Sequence, residues 1–313
     1  MHHDALAWVE SPLQLLSAAE WADRHRRATG CLTTVAHRIS DPQMVATAEA
    51  LHRAGAPFVR FEPYFGIPWS RLAAARHWVI GDPLSGQFRT AAAVLPKPRR
   101  LTVVDDGSMV VHALSAIAGE VDYARPGQQE SRTKLVLGGA TASRLRSLAK
   151  AGRLDAFTAF PDADAAAHRL GIPVIRNDFA WLRAAAAHSE LPAPALPVNR
   201  IALGNARVVD GLLDAASHLG WLRELAEEAP LSYLPHRRET DAQLRAVASL
   251  PGVTVVRTGL PIELVLAGTR HPLELHALPT SAITTLTAVL ADSGSSIHLD
   301  RVPTSALRQE RQR

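Results

Sequence analysis

Short apolar runs alternate along the whole chain with longer segments whose apolar residues recur at spacings of three and four. The first pattern is typical of strands and the second of amphipathic helices. The strand candidates are ALAWVES, CLTTVAH, FVRFEPY, HWVIGDP, LTVVDDG, DAFTAF and PVIRND, followed by RIALGNA, LSYLPHR, VTVVRT, LELHALP and SSIHLD. Helical segments include 13–27, 43–53, 140–151, 211–228 and 282–290. This alternation predicts an α/β fold of parallel sheets covered by helices.

A proline-rich stretch divides the pattern into two parts. Residues 188–199, HSELPAPALPVN, contain three prolines, and such a density of proline prevents both helix formation and strand pairing. We predict a Rossmann-like domain over 1–190, a linker over 191–199, a second Rossmann-like domain over 200–300 and a basic tail over 301–313. Two doubly wound domains would face a central cleft with the C-terminal ends of their strands, where open α/β sheets bind ligands.

Composition narrows the class of protein. No apolar run approaches the ~20 residues of a membrane span, and the N-terminal sequence has no export signal, so we expect a cytoplasmic protein. The single Cys31 provides neither a disulfide framework nor a cysteine-rich zinc site. The net charge of +4 comes from scattered arginines without interleaved aromatic residues, so we expect no nucleic-acid partner. A peripheral association with the inner face of the membrane and a homodimer both stay open.

Polar clusters follow several of the predicted strands. In the first part they are Glu10 and Ser11 with Gln14, Gly81 with Asp82, and Asp105, Asp106, Gly107 and Ser108. In the second part they are Gly204 with Asn205, Pro235 and His236 with Glu239, and Pro279 with Thr280 and Ser281. Because strand ends of parallel sheets are the usual place of ligand binding, we expect the chemistry here.

Two adjacent acids, Asp105 and Asp106, end the strand LTVV. Neighbouring side chains on an extended backbone point to opposite faces, so at most one of the two can enter a given cleft. One of the two acids could therefore serve the chemistry while the other fixes the turn or caps the following helix.

Three further features of the second part suggest nucleotide binding. His236 follows a strand, and its ordinary pKa of about 6.5 suits an acid near neutrality, although a hydrogen-bonded loop histidine explains it as well. Thr280 and Ser281 stand at the start of an apolar helix, where N–H groups attract phosphate, or they simply cap that helix. Glu263 either accepts from ribose hydroxyls or complements the dipole of its helix.

Several common site motifs are absent from the sequence. It has no GxxxxGK[ST] loop, no GxGxxG after the first strand and no HExxH. The Asp162-Ala163-Asp164 triplet precedes an alanine-rich segment and is explained by helix capping. We therefore predict no metal site and no cofactor.

The segments ESPLQLLSAAEW, VVDDGS, YLPHRRE and LPTSAITTL together resemble the bacterial sialyltransferase and polysialyltransferase group, glycosyltransferase family 52 and its relatives. That group has an acidic D/E-D/E-G motif, a His-Pro motif and a paired Ser/Thr motif in this order. The present chain differs in having His-Arg and Thr-Ser. The resemblance implies a GT-B architecture, a CMP-activated nonulosonic acid as donor, a glycan or glycolipid acceptor, and inverting transfer without an essential metal.

The resemblance also implies roles for individual residues. Asp106 would be the general base, Ser108 would lie beside the donor sugar, and His236 would bind or protonate the departing CMP phosphate. The remaining donor-site or substrate-site residues would be Ser11, Gln14, Asp105, Gly107, Gly204, Asn205, Pro235, Glu263 at the ribose, and Thr280 with Ser281 at the phosphate.

Two other functions stay open. A different GT-B transferase or epimerase could use a UDP-sugar, whose diphosphate would usually require an Arg/Lys clamp or a glycine-rich loop. A non-catalytic nucleotide-binding or glycan-binding protein could retain the same two-domain fold without turnover.

Overall fold

The computed structural model describes residues 5–128, 130–188, 191–192 and 195–301. Residues 193–194 of the predicted linker and 302–313 of the predicted basic tail lie outside the described residues. The chain divides into two units. The first contains the chain up to Leu191 together with Gly259–Pro261, and the second contains Pro192–Thr258 and the chain from Ile262 onwards.

The first unit contains a seven-stranded parallel sheet with the strand order β3-β2-β1-β4-β5-β6-β7. Its strands are β1 Ala5–Val9, β2 Thr33–Arg38, β3 Phe58–Tyr64, β4 His77–Ile80, β5 Arg100–Val104, β6 Leu154–Thr158 and β7 Val174–Arg176. Its helices are α1 Pro12–Thr29, α2 Pro42–Arg53, α3 Trp69–Ala74, α4 Gly86–Val94, α5 Met109–Ala118, α6 Arg132–Lys150, α7 Ala163–Leu170 and α8 Ala180–Ala187. The strand order reverses between β1 and β4, which makes the loops after these two strands the topological switch point of this sheet.

The second unit contains a five-stranded parallel sheet with the strand order β10-β9-β8-β11-β12. Its strands are β8 Arg200–Leu203, β9 Leu231–Leu234, β10 Val253–Val255, β11 Glu274–Ala277 and β12 Ser296–Leu299. Its helices are α9 Ala215–Glu228, α10 Asp241–Ala248, α11 Ile262–Ala267 and α12 Ala282–Val289. Here the switch point lies between β8 and β11.

Each of the twelve predicted strand segments overlaps one observed strand, and the predicted α/β class with two parallel sheets is confirmed. Strands such as β1 and β6 are buried over their whole length, because helices cover both faces of a parallel sheet. The sequence of β1 is accordingly apolar throughout. Within the part of the chain that the structure describes, no helix is both long enough and apolar enough to cross a membrane.

Two helices differ from their predicted bounds. The sequence predicts a helix from 140, whereas α6 begins at Arg132. The prediction begins too late because Gly138 and Gly139 lower the helix propensity of the first part of α6. Gly138 has a packing reason, since a Cβ there would lie 2.8 Å from the carbonyl oxygen of Tyr123. The predicted helix from 211 begins only at Ala215, where the side chain of Asp214 caps it.

Candidate functional site

The switch point of the first unit depends on a close contact between the loops after β1 and β4. The Oε1 atom of Gln14 accepts a hydrogen bond of 2.7 Å from the backbone nitrogen of Glu10. A Cβ at Gly81, directly after β4, would overlap the side chain of Gln14. Gly81 therefore permits the buried amide of Gln14 to organise the turn after β1.

Glu10 is held on both sides of its carboxylate. Its Oε1 accepts from the Ser85 hydroxyl at 2.8 Å, and its Oε2 accepts from Arg38 at 3.1 Å. Ser85 also caps α4 through the backbone nitrogen of Phe88. Burial raises the pKa of Glu10, while Ser85 and Arg38 act in the opposite direction. The site thus contains an acid whose orientation is fixed by two donors.

Asp82 is a second buried acid at this switch point. Its Oδ1 accepts from the backbone nitrogen of Leu84 at 2.9 Å, and its Oδ2 pairs with Arg125. Burial raises the pKa of Asp82 to about 6; Arg125 lowers it, and the charges of Asp106 and Glu10 raise it further. A buried carboxyl group whose pKa is raised by neighbouring carboxylates is typical of a functional site.

The two adjacent acids after β5 have different surroundings. Asp105 is fully buried, its Oδ2 accepts from the backbone nitrogen of Ala159 at 2.8 Å, and its Oδ1 has no hydrogen-bond partner. Burial raises the pKa of Asp105 to about 7. Asp106 is partly exposed, and its Oδ1 accepts from the Ser11 hydroxyl at 2.8 Å. Only the Asp106 carboxyl is therefore accessible to a substrate.

Asp106 and Asp82 line a small pocket whose other walls include Gly81 and Met109. The turn that leads out of β5 needs the positive φ of 63° at Gly107, and Ser108 beyond it is exposed. The structure thus brings Ser11, Asp82 and Asp106 together at one end of the first sheet.

The switch point of the second unit has the same construction. A Cβ at Gly204, directly after β8, would overlap the backbone nitrogen of His236 and lie 2.9 Å from the carbonyl carbon of Pro235. The amide of Asn205 donates to the carbonyl oxygen of Pro279 at 3.3 Å. The loops after β8, β9 and β11 therefore converge, with Gly204 permitting the closest approach.

Glu239 connects these loops. Its Oε1 accepts from the Tyr233 hydroxyl at 2.6 Å and from the backbone nitrogen of Asn205 at 3.4 Å. Its Oε2 accepts from the backbone nitrogen of His236 at 3.1 Å. The sequence places Glu239 in the polar cluster after β9 but assigns it no role, and α10 begins only at Asp241. An acid three residues after a strand-end histidine was the available signal.

His236 presents one defined donor. Its Nδ1 accepts from the backbone nitrogen of Arg238 at 3.2 Å, which leaves the proton of the neutral ring on Nε2. Burial lowers the pKa of His236, and the charges of Arg237 and Arg238 lower it further. Near neutral pH the ring is therefore an uncharged hydrogen-bond donor, which differs from the acid that its ordinary pKa suggests.

The other predicted residues of the second unit occupy two places. Thr280 and Ser281 follow Pro279, with the Thr280 hydroxyl accepting from the backbone nitrogen of Ala282 at 3.4 Å and Ser281 exposed. Glu263 is buried, and its Oε1 accepts from the Thr285 hydroxyl at 2.7 Å. This carboxyl thus faces α12, and its role at a ribose stays a prediction.

Comparison with known proteins shows a fold and no family. No protein-family model matches the sequence, and no curated protein matches it. A putative UDP-N-acetylglucosamine 2-epimerase from Listeria monocytogenes is similar in structure, with a TM-score of 0.56, 12% identity, and coverage of 99% of this chain and 87% of that chain. The UDP-GlcNAc 2-epimerase from Methanocaldococcus jannaschii gives a TM-score of 0.48, 12% identity, and coverage of 99% and 92%.

These findings confirm the predicted GT-B fold class and correct the resemblance. The resemblance to the sialyltransferase group is wrong: no family model matches the sequence, and the structure with a TM-score of 0.56 is that of a putative UDP-N-acetylglucosamine 2-epimerase. Short motifs of the form acid-acid-Gly or paired hydroxyls arise wherever strands end and helices begin in α/β sheets, so their order alone does not identify a family.

Gly204→Ala should destabilise the second unit and displace the His236 loop, because the new Cβ meets backbone rather than a movable side chain. Gly220→Ala in α9 is the matched control, since a Cβ there has nothing within 4 Å and should stabilise the helix by about 0.5–1 kcal/mol. Thermal unfolding of the two variants checks this, and equal melting temperatures would contradict the close contact.

Asp105→Asn should change the pH dependence of stability. A pKa raised to about 7 means that the folded state binds more protons than the unfolded state, so this contribution to stability is lost as pH rises from about 4 to about 7. The Asn variant cannot ionise, so its stability relative to the original protein should increase over that range.

Urea unfolding at several pH values measures this through tryptophan fluorescence, since five of the six tryptophans belong to the first unit. Asp162→Asn, at an exposed position, should leave the pH dependence unchanged. A stability difference between Asp105→Asn and the original protein that does not vary with pH would refute the assignment.

Proposed function

We propose that this protein is a nucleotide-sugar enzyme that binds a UDP-sugar through its second unit and transfers the sugar to an acceptor hydroxyl. The observation that carries the proposal is the meeting of three strand-end loops at the β8–β11 switch point, held by Gly204, Asn205 and Glu239. Such switch points are the usual ligand sites of open α/β sheets. The likeness of nearly the whole chain to a putative UDP-N-acetylglucosamine 2-epimerase supports the donor class.

The chemistry of this loop cluster suits a phosphorylated ligand. The Nε2–H of His236 can donate to a phosphate oxygen, and the hydroxyls of Thr280 and Ser281 stand at the first turn of α12. Arg237 and Arg238 add positive charge beside the histidine, although Arg238 is already paired with Asp210. A diphosphate donor usually requires either such a cluster of Arg or Lys or a glycine-rich loop.

A bound phosphate would also change the histidine. Negative charge beside the ring favours its protonated form, so binding of a nucleotide diphosphate should raise the lowered pKa of His236. The same residue could then stabilise the charge on the departing UDP. In this proposal His236 first recognises the phosphate and afterwards stabilises the leaving group.

In the first unit, Asp106 is the proposed base. It is the accessible member of the acid pair, and the Ser11 hydroxyl orients its carboxylate. In a transfer reaction it would remove the proton of the acceptor hydroxyl as that oxygen attacks the sugar and UDP leaves. Glu10 and Asp82 are already held by other residues, so they would shape the site rather than move the proton.

Epimerisation is the second candidate, and the likeness to the putative epimerase favours it. An epimerase would convert a UDP-sugar into another without any acceptor. The two reactions therefore differ in whether an acceptor is required, and this difference can be measured directly.

Calorimetric titration of the full chain should show binding of UDP in preference to ADP. His236→Ala should weaken UDP binding by about 10- to 100-fold, the usual effect of losing a hydrogen bond to a charged group. His271→Ala, an exposed histidine of the same unit, should bind UDP like the original protein. Equal affinity for both nucleotides, or no difference between the two variants, would contradict the proposed donor site.

Asp106→Asn should retain UDP affinity while lowering turnover by about 10²- to 10⁴-fold, the usual contribution of a positioned base. Turnover is measured as UDP release from UDP-sugars with a panel of glycan acceptors, and epimer formation without acceptor is followed by NMR. Asp122→Asn, at an exposed position of the same unit, is the control. A fully active Asp106→Asn would remove Asp106 from the mechanism.

A further inference from the structure

A polar cluster lies on the edge of the second sheet, on residues that the proposed function does not use. β11 and β12 are parallel neighbours, with Glu274 opposite Ser296 and His276 opposite His298. Because side chains alternate along a strand, Glu274 and His276 share one face of β11, and His298 projects on the same face of β12. Two imidazoles and a carboxylate are thus placed side by side.

The three side chains are close enough to share one ion. The Nε2 atom of His276 lies 2.8 Å from Oε1 of Glu274, and the rings of His276 and His298 stack with centroids 4.8 Å apart. The nitrogen and oxygen atoms that the three residues offer all lie within 4.8 Å of one another. Ligands of a tetrahedral zinc ion lie roughly 3.3 Å apart, from bonds of about 2.0 Å, so small side-chain rotations would suffice.

The second nitrogen of the buried histidine provides an independent observation. His276 is 7% exposed, and its Nδ1 has no hydrogen-bond partner. Asp300 places its Oδ2 3.4 Å from this nitrogen, and Trp221 holds the same oxygen by a hydrogen bond of 2.8 Å. A histidine that binds a metal through one nitrogen commonly donates from the other to a carboxylate, which keeps the ring in the required orientation.

We propose that Glu274, His276 through Nε2, and His298 bind a divalent ion of the zinc type, with Asp300 orienting His276. Imidazole with carboxylate suits zinc and its neighbours in the first transition series, whereas calcium and magnesium prefer oxygen ligands alone. Three protein ligands leave the fourth position to solvent.

Arg200 is the neighbouring positive charge that the site must accommodate. It donates to Oε1 of Glu274 at 3.0 Å, and it is also held by Glu228 and by the carbonyl oxygen of Leu225 at 2.6 Å. These other partners keep the guanidinium in place while the Glu274 carboxylate rotates toward the ion. The contact between Arg200 and Glu274 therefore lowers the expected metal affinity without preventing metal binding.

Metal binding would stabilise the pairing of the edge strand β12 with β11. β12 pairs with β11 along one side only, and most of its residues are exposed. An ion shared between the two strands adds a crosslink that the unfolded chain lacks, so it stabilises the folded second unit. The ion would therefore act as a crosslink between the two strands, separate from the proposed chemistry of the UDP-sugar.

Zinc titration of the full chain tests the proposal. His2 and His3 are replaced by Asn in every sample, because adjacent N-terminal imidazoles are a competing metal site. Calorimetry should show one zinc ion per chain, and cobalt should give the visible absorption of a tetrahedral nitrogen and oxygen site. Zinc should also raise the melting temperature, as any ligand of the folded state does.

His298→Asn, at an exposed edge position, should weaken zinc binding at least about tenfold, since even partners outside the ligand set contribute 10- to 100-fold. His298→Cys should restore binding, because a thiolate is also a zinc ligand. His271→Asn, an exposed histidine of the same unit, is the matched control and should bind zinc normally.

His276 is buried, so His276→Asn could fail to fold, and Glu274→Gln then serves as the second ligand variant. Absence of zinc binding, or equal zinc affinity of the parent and His298→Asn, would overturn the proposal. Since these measurements use neither nucleotide nor sugar, their result is independent of the proposed function.

Discussion

A glycine directly after one strand of each switch point is the constraint on which both candidate sites depend. At Gly81 the space of the missing Cβ is occupied by Gln14, which fixes the turn after β1. At Gly204 it is occupied by the backbone of His236 and by Glu239, which also holds Tyr233. Because buried polar groups must be hydrogen-bonded, the close approach at Gly204 allows the Glu239 side chain of one loop to accept from the backbone of Asn205 in another, while Gln14 accepts from the backbone of Glu10 within its own loop. Loops that would otherwise diverge are thereby held as one surface at the end of each sheet.

The strands and the fold class follow from sequence because burial on both faces produces a local pattern, a short apolar run, that can be read without knowing the partner strands. The same holds for the residues directly after strands, such as Asp106 and His236. The hydrogen-bond partners of these residues could not be predicted. The Ser11 hydroxyl that contacts Asp106 is 95 positions away in the sequence, and no local pattern indicates that contact. Helix starts were misplaced where tertiary packing outweighs propensity, as at Gly138 in α6.

The two sites have opposite electrostatic preferences. In the first unit, burial and neighbouring carboxylates raise the pKa values of Glu10 and Asp82, so this site resists further negative charge. In the second unit, burial and two arginines lower the pKa of His236, so this site resists further positive charge and favours an anion. A phosphate is therefore expected only in the second unit, while the first suits a neutral group such as a hydroxyl. This division depends on the surroundings of each side chain, which the order of short motifs does not record, and the family resemblance built on that order is not supported.

The edge cluster shows why some sites are invisible in a sequence. His276 and His298 are 22 positions apart on two separate strands, and their spacing matches no common metal-ligand motif. They become neighbours only through the register of β11 and β12, which on the opposite face pairs the fully buried Leu275 with the partly buried Ile297. A shift of one residue would turn His298 to the other face and separate it from His276. The register of the two strands thus determines which polar groups lie side by side, and no sequence motif records that register.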